Sequence, residues 1–112
     1  MNKSITRGEI YLADLEPTIG SEQGGTRPVL VLQNDIGNRY SPTTIVAAIT
    51  TRVNSKHPMP THLFISPKCG IAYPSIVLLE QIRVIDKARI IRYLGILTNE
   101  QMRIVDQKLV VS

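Results

Sequence analysis

The sequence predicts a mainly β domain in which many short strands, closed by one C-terminal α-helix, curl into a small barrel. Three observations predict it. Short runs rich in Val, Ile and Leu recur between Gly- and Pro-bearing stretches, as in EIYLADL, PVLVLQ and TIVAAIT. The hydrophobic period changes once, after Thr98, from that of strands to that of a helix. A chain of 112 residues with 43% hydrophobic and 20% charged side chains suits one folded domain, spanning 1–112, because two separate cores would each be too small. With no Trp and a single Phe, that core is aliphatic.

Taken in order, Glu9 to Leu15 alternates as a strand does, with Ile10 and Leu12 on one face. Glu16 to Thr26 is polar, carries Gly20, Gly24 and Gly25, and is expected to be a loop. Pro28, which has no ladder donor, is expected to open the next strand, PVLVLQ. Asn34 to Pro42, with Gly37 inside it, is expected to be a second loop. Thr44 to Thr50 is a nearly continuous apolar run, the pattern of a strand buried on both sides. Thr51 to Pro60 brings Arg52, Lys56, His57 and two prolines, which makes a basic, exposed connection.

Thr61 to Ile65 forms a further strand, and Ser66 to Pro74 is irregular. Ser75–Leu79 and Gln81–Ile85 are two strands or one bent strand, and Ile90 to Leu97 is another, with a break expected near Tyr93. Thr98 and Gln101 have the spacing of a capping box, in which each side chain satisfies a free N–H at the helix start. Met102, Val105 and Leu109 then share a helical face. Ile104 and Val111 fall nearly opposite, so the helix is covered on two sides or meets a partner.

Composition narrows the function without naming it. A net charge of +4 is compatible with a polyanionic partner but does not demand one. The single cysteine, Cys69, forms no internal disulfide, and no Cys/His grouping has zinc spacing, so no metal and no cofactor is expected. The opening MNKSITR lacks the apolar core of a secretory signal, and no apolar run approaches membrane-spanning length. A cytoplasmic protein with no membrane partner is the expectation.

Arg27 lies where the Gly-rich loop meets a strand. Its planar fork can hold two phosphate oxygens at once, although an arginine at a strand start is as readily an ordinary surface residue. Thr50 closes the run TIVAAIT and is followed by Thr51. A hydroxyl at a strand mouth can donate to a phosphoryl oxygen, yet Thr is also simply a favoured strand residue. Ser21, Glu22 and Gln23 in the Gly-flanked loop can line a groove, with Glu22 able to accept a proton or merely to be solvated. Gln81 and Arg83 share one strand face and suit base edges and phosphate, or an ordinary polar surface. His57 and His62 raise the two-histidine style of RNA cleavage, although isolated histidines are usually plain surface residues. Cys69 has no neighbouring base to activate it.

Taken together, RGEIYLADLEPTIGSEQGGTRPVLVLQND, SPTTIVAAIT and SIVLLEQIRVIDKARI resemble the MazF/PemK family of toxin endoribonucleases, from about Arg7 to the C-terminal helix. That resemblance implies an SH3-like small barrel with a C-terminal helix, active as a homodimer. It implies that Arg27 and Thr50 are catalytic and that Ser21, Glu22 and Gln81 line the RNA groove; Gln23, Thr51 and Arg83 are placed in the same groove. It further implies metal-independent cleavage of single-stranded RNA or mRNA by attack of the ribose 2′-hydroxyl, leaving a 2′,3′-cyclic phosphate and a 5′-hydroxyl, with arrest of translation and growth as the outcome. An antitoxin with an acidic, partly disordered segment is the expected protein partner. Arginine does not readily lose its proton, so the base is left among Glu22, a second arginine and water. Few aromatics are available for stacking (Tyr11, Tyr40, Phe64, Tyr73 and Tyr93), so hydrogen bonding and shape are expected to carry specificity. Lys68 to Pro74 departs locally from the family pattern. A toxin that binds DNA gyrase through the C-terminal helix of the same barrel is the alternative, and an inactive RNA-binding relative a third reading.

Overall fold

The computed structural model describes residues 4–17, 20, 24–51, 59–67 and 70–111, with the backbone alone at Val111. Along the chain come β1 (Glu9–Asp14), β2 (Thr26–Val31), α1 (Asp35–Tyr40), β3 (Thr43–Thr50), β4 (His62–Ile65), β5 (Ser75–Asp86), a 3-10 turn at Lys87–Arg89, β6 (Ile90–Ile96) and α2 (Asn99–Val111). The strands form one six-stranded antiparallel sheet in the order β4-β5-β3-β2-β1-β6. The expected barrel thus takes the form of a sheet whose edges, β4 and β6, are not paired with each other among the described residues.

Because successive side chains leave opposite faces of a strand, the sheet carries two apolar clusters. Ile10, Leu30, Ala47, Ile49, Leu63, Ile65 and Val77 form the first with Val105 of α2 and with Leu97 just before it. Met102 and Leu109 pack against this cluster from the helix, as their spacing predicted. The capping box forms as expected: the Thr98 N–H donates to Gln101 Oε1 at 2.8 Å, and the Gln101 N–H donates to Thr98 Oγ1 at 3.1 Å. Ile104, on the far side of α2, is 37% exposed. The second cluster, on the other face, gathers Tyr11, Ala13, Val29, Val31, Val46 and Ala48 with Ile5, Leu15, Ile85 and Ile90.

The stretch from Asn34 to Pro42 corrects the sequence reading. It holds α1, not a loop alone. The Asn34 side chain caps the helix by accepting from the Gly37 N–H at 2.8 Å. Asn38 is buried and satisfied: its Nδ2 donates to Gln33 O at 2.8 Å, and its Oδ1 accepts from Thr44 Oγ1 at 2.8 Å. Gly37, a loop signal in the sequence, sits inside this helix and packs closely on Gln33. A Cβ at that position would lie 2.9 Å from the Gln33 side chain. Six residues hold too little periodicity to reveal a helix, and these polar anchors supply what apolar spacing did not.

Two smaller differences concern register. β2 begins at Thr26, two residues before the expected Pro28, and its ladder with β3 runs from Val29 to Val31. A residue with no amide hydrogen therefore falls just outside that ladder. β5 is one bent strand. Its pairing with β3 slips between Ala47↔Ile82 and Ala48↔Leu78, which leaves Leu79, Glu80 and Gln81 as a bulge. β6 runs unbroken past Tyr93, with register shifts against β1 in place of the expected break.

Candidate active site

β1 and β2 carry the Gly-rich connection at one end of the sheet, and its described stem is held by several bonds. Gly25, at φ +74°, turns the chain back, and its N–H donates to Glu16 Oε1 at 2.6 Å while its carbonyl accepts from the Leu15 N–H at 3.0 Å. Arg83 Nη1 donates to Leu15 O at 2.9 Å, and Arg89 Nη1 donates to the Glu16 carbonyl. Two arginines distant in the chain, one on β5 and one in the 3-10 turn after it, thereby fix the carbonyls at the base of the loop.

Arg27, half-buried, follows that stem, and its Nε donates to Gly24 O at 2.7 Å. A guanidinium fixed through Nε keeps the orientation of its plane, which a fork needs to meet two phosphoryl oxygens. The register between β2 and β3 places Val29 opposite Ala48 and Val31 opposite Val46. Extended by two residues, it sets Arg27 opposite Thr50 and on the same face. The two residues line a small cleft of about 260 Å³ with Thr26, Pro28, Ile49 and Thr51. A cation beside three threonines at a strand mouth can bind a phosphodiester and neutralise charge that develops on it.

The other expected groove residues divide. Thr51 is exposed and lines the cleft. Ser21, Glu22 and Gln23 lie outside the described residues, as do Arg52, Lys56, His57, Lys68 and Cys69. Gln81, half-buried in the β5 bulge, does not border the cleft. Arg83 shares the face of Val46, Ala48 and Thr50 but donates to Leu15 O, so it positions the loop stem. Arg89 and Glu16, which hold the same stem, were not singled out in the sequence. Contacts between segments some seventy residues apart leave no local pattern to read.

His62 sits on this same sheet face, opposite Leu78. Its Nε2 lies 3.0 Å from Glu80 Oε2, and Glu80 Oε1 accepts from Thr61 Oγ1 at 2.9 Å, while the buried His62 Nδ1 has no hydrogen-bond partner. Burial acts to raise the Glu80 pKa. Its own backbone N–H, the Thr61 hydroxyl and His62 together outweigh burial and hold it below the usual glutamate value. A larger cavity, about 970 Å³, lies at the opposite end of β3, lined by residues that include Ser4, Asn38, Arg39, Tyr40 and Lys87. It is about 23 Å of strand away from Thr50. Its cations are engaged locally, Arg39 over the Tyr40 ring and Lys87 donating to the Asn38 carbonyl, and the smaller cleft, where Arg27 faces Thr50, is the better candidate for chemistry. Among the described residues no three His, Cys, Asp or Glu side chains gather as a metal site, and no helix is long and apolar enough to cross a membrane.

Comparison with known proteins agrees with this architecture. The sequence model of the PemK-like, MazF-like toxins of type II toxin–antitoxin systems matches residues 6–112. Endoribonuclease EndoA of Bacillus subtilis is 54% identical over 109 residues, which cover 96% of this chain and 93% of that protein. Among solved structures, MazF from Deinococcus radiodurans superposes with a TM-score of 0.83 at 24% identity, covering 97% of this chain and 96% of its own. A mycobacterial endoribonuclease in complex with its cognate antitoxin superposes with a TM-score of 0.78 at 23% identity, covering 96% and 92%.

Proposed function

This chain belongs to the PemK-like, MazF-like toxins of type II toxin–antitoxin systems and is an endoribonuclease, and on that premise we propose that it cuts single-stranded RNA, without a metal, at the cleft bordered by Arg27 and Thr50. The observation that supports this reading best is the β2–β3 register, which aligns a guanidinium with a hydroxyl on one face at an open strand end.

The substrate brings its own nucleophile. The 2′-hydroxyl oxygen bonds to the adjacent phosphorus, the bond from phosphorus to the 5′-oxygen breaks, and the leaving oxygen takes up a proton. Arg27 offsets the negative charge that builds on the phosphoryl oxygens, and the Thr50 hydroxyl donates to one of them. Arg27 holds its own proton too tightly to serve readily as the base, so Glu22, a second arginine or water takes the 2′ proton. The products are a 2′,3′-cyclic phosphate and a 5′-hydroxyl.

The remaining features of the reading follow from the family. The toxin cuts mRNA at a short sequence in the cytoplasm and halts translation and growth, works as a homodimer, and is silenced by a cognate antitoxin whose acidic, partly disordered segment occupies the same basic groove. The gyrase-binding alternative has no comparable support, since the relative at 54% identity is an endoribonuclease. The test is to incubate the purified protein with a mixed RNA pool in EDTA and to map the cut ends. Cuts at a recurring short sequence with cyclic-phosphate and 5′-hydroxyl ends are expected. Cleavage abolished by the chelator, or 5′-phosphate ends, would contradict the proposed chemistry.

A further inference from the structure

The pairings across the sheet define a transverse row of residues that all lie on one face. Ile90 of β6 pairs with Ala13 of β1, Ala13 with Arg27 of β2, and the extended β2–β3 register brings Arg27 to Thr50. Thr50 pairs with Ile76 of β5, and Ile76 with Phe64 of β4. The row therefore runs Ile90, Ala13, Arg27, Thr50, Ile76, Phe64 from one edge of the sheet to the other. Ile90, Ala13 and Ile76 are buried, Arg27 and Thr50 are half-buried, and Phe64, at the edge, is 60% exposed.

An exposed Phe elsewhere on the surface would need no explanation, but this one ends the row that holds the cation and the hydroxyl. The remaining aromatics are placed differently. Tyr11 is buried and meets Tyr93 edge-on, at 5.6 Å between ring centroids, toward the β6 edge. Tyr40 lies under Arg39 at the opposite end of β3, and Tyr73 lies outside the strands. Phe64 stands two strands from Thr50, about 10 Å between backbones, roughly one or two nucleotides along an extended strand.

We propose that Phe64 is a stacking platform for an unpaired base flanking the cut, and so a binding and specificity residue of the same nuclease site. This rests on the nuclease reading of the Arg27–Thr50 cleft. A base laid on the ring keeps the strand on this face of the sheet and seats the phosphodiester between guanidinium and hydroxyl. A flat ring accepts any base, with purines favoured by their larger stacking area. The role is in binding, with no part in bond making.

The absence of Trp from the chain provides the probe. Phe64→Trp and Phe64→Ala are compared with the parent on a short RNA containing one cut site, and on the same RNA with an abasic residue at each flanking position in turn. A non-cleavable version with a 2′-deoxy residue at the cut reports binding. The Phe64→Ala variant should melt as the parent does and bind the RNA about tenfold more weakly, the usual effect of losing one stacked base. One abasic substitution should weaken the parent similarly and the Phe64→Ala variant hardly at all. Phe64→Trp should retain affinity, and its fluorescence should be quenched when the RNA binds. A parent that cleaves while Phe64→Ala binds equally well, or a Phe64→Trp emission blind to RNA, would overturn the platform and leave the nuclease reading standing. A parent that cleaves no RNA in EDTA would overturn both. Loss of the dimer in Phe64→Ala would make Phe64 an interface residue and also overturn the platform.

Discussion

The two faces of the sheet are built from the same strands, yet they do different work. On one, Ile10, Leu30, Ala47, Ile49, Leu63, Ile65 and Val77 meet Leu97 and α2, and the packing closes over them. On the other, Tyr11, Val29, Val31, Val46 and Ala48 make an apolar centre, but toward one end the same rows reach Arg27 and Thr50, which stay half-open. The helix-covered face supplies stability. The face beside it gives up burial at one end and gains a cleft. Even the polar bonds follow this division: the Thr98–Gln101 box secures the covering helix, whereas Arg83 and Arg89 secure the loop stem beside Arg27.

The largest effect should come from the open face. Arg27→Ala and Thr50→Ala should each lower kcat about 100- to 1,000-fold, the usual loss when one donor to a developing oxyanion is removed. Their stability should change by about 1 kcal/mol or less, as both side chains sit at the rim. Rates set beside urea melts would break the comparison if the variants unfolded instead of losing chemistry. Leu97→Ala probes the covered face. A buried Leu truncated there should cost about 2–5 kcal/mol while the folded fraction keeps its cleavage rate. Thr98→Ala removes one half of the capping box and should cost about 1 kcal/mol, read as a shift of the urea midpoint without loss of kcat.

The smallest effect tests the pair at the edge of the open face. Glu80 has a folded pKa below its unfolded value, so the folded protein binds that proton less readily. Its stabilisation is complete above the ordinary glutamate value of about 4.3 and is lost as pH falls through the lowered folded value. Glu80→Gln should therefore be modestly less stable than the parent at neutral pH, modestly because the side chain is 27% exposed, and the gap should close in acid. Urea melts between pH 3 and 7 measure it; a gap that widened on acidification would contradict the assignment.

What could be read in the sequence follows the range of the interactions. Strand alternation, the buried run Thr44–Thr50 and the Thr98–Gln101 box are signals within a few residues, and they placed the strands and α2 nearly where they are. α1 escaped because its determinants are polar anchors, Asn34 and Asn38, around a glycine that looked like a loop. The bulge at Leu79–Gln81 escaped because a register slip belongs to two strands jointly, and neither sequence shows it alone. Arg27 and Thr50 gained their importance from the resemblance, since each by itself is an ordinary strand-end residue. What the residues in isolation did not disclose was the row that aligns them, with Phe64 at its end. For the same reason the tie of Arg83 to the loop stem has no signature in the sequence, because its bond to Leu15 O spans 68 positions.

The most direct measurement of convergence is a double-mutant cycle on single-turnover cleavage of one short RNA by the parent, Arg27→Ala, Thr50→Ala and the pair combined. Groups that stabilise the same transition state act as a unit, so the combined variant should lose little more than the worse single one. If the two losses multiplied in full, as for independent sites, the guanidinium and the hydroxyl would not be serving the same phosphodiester.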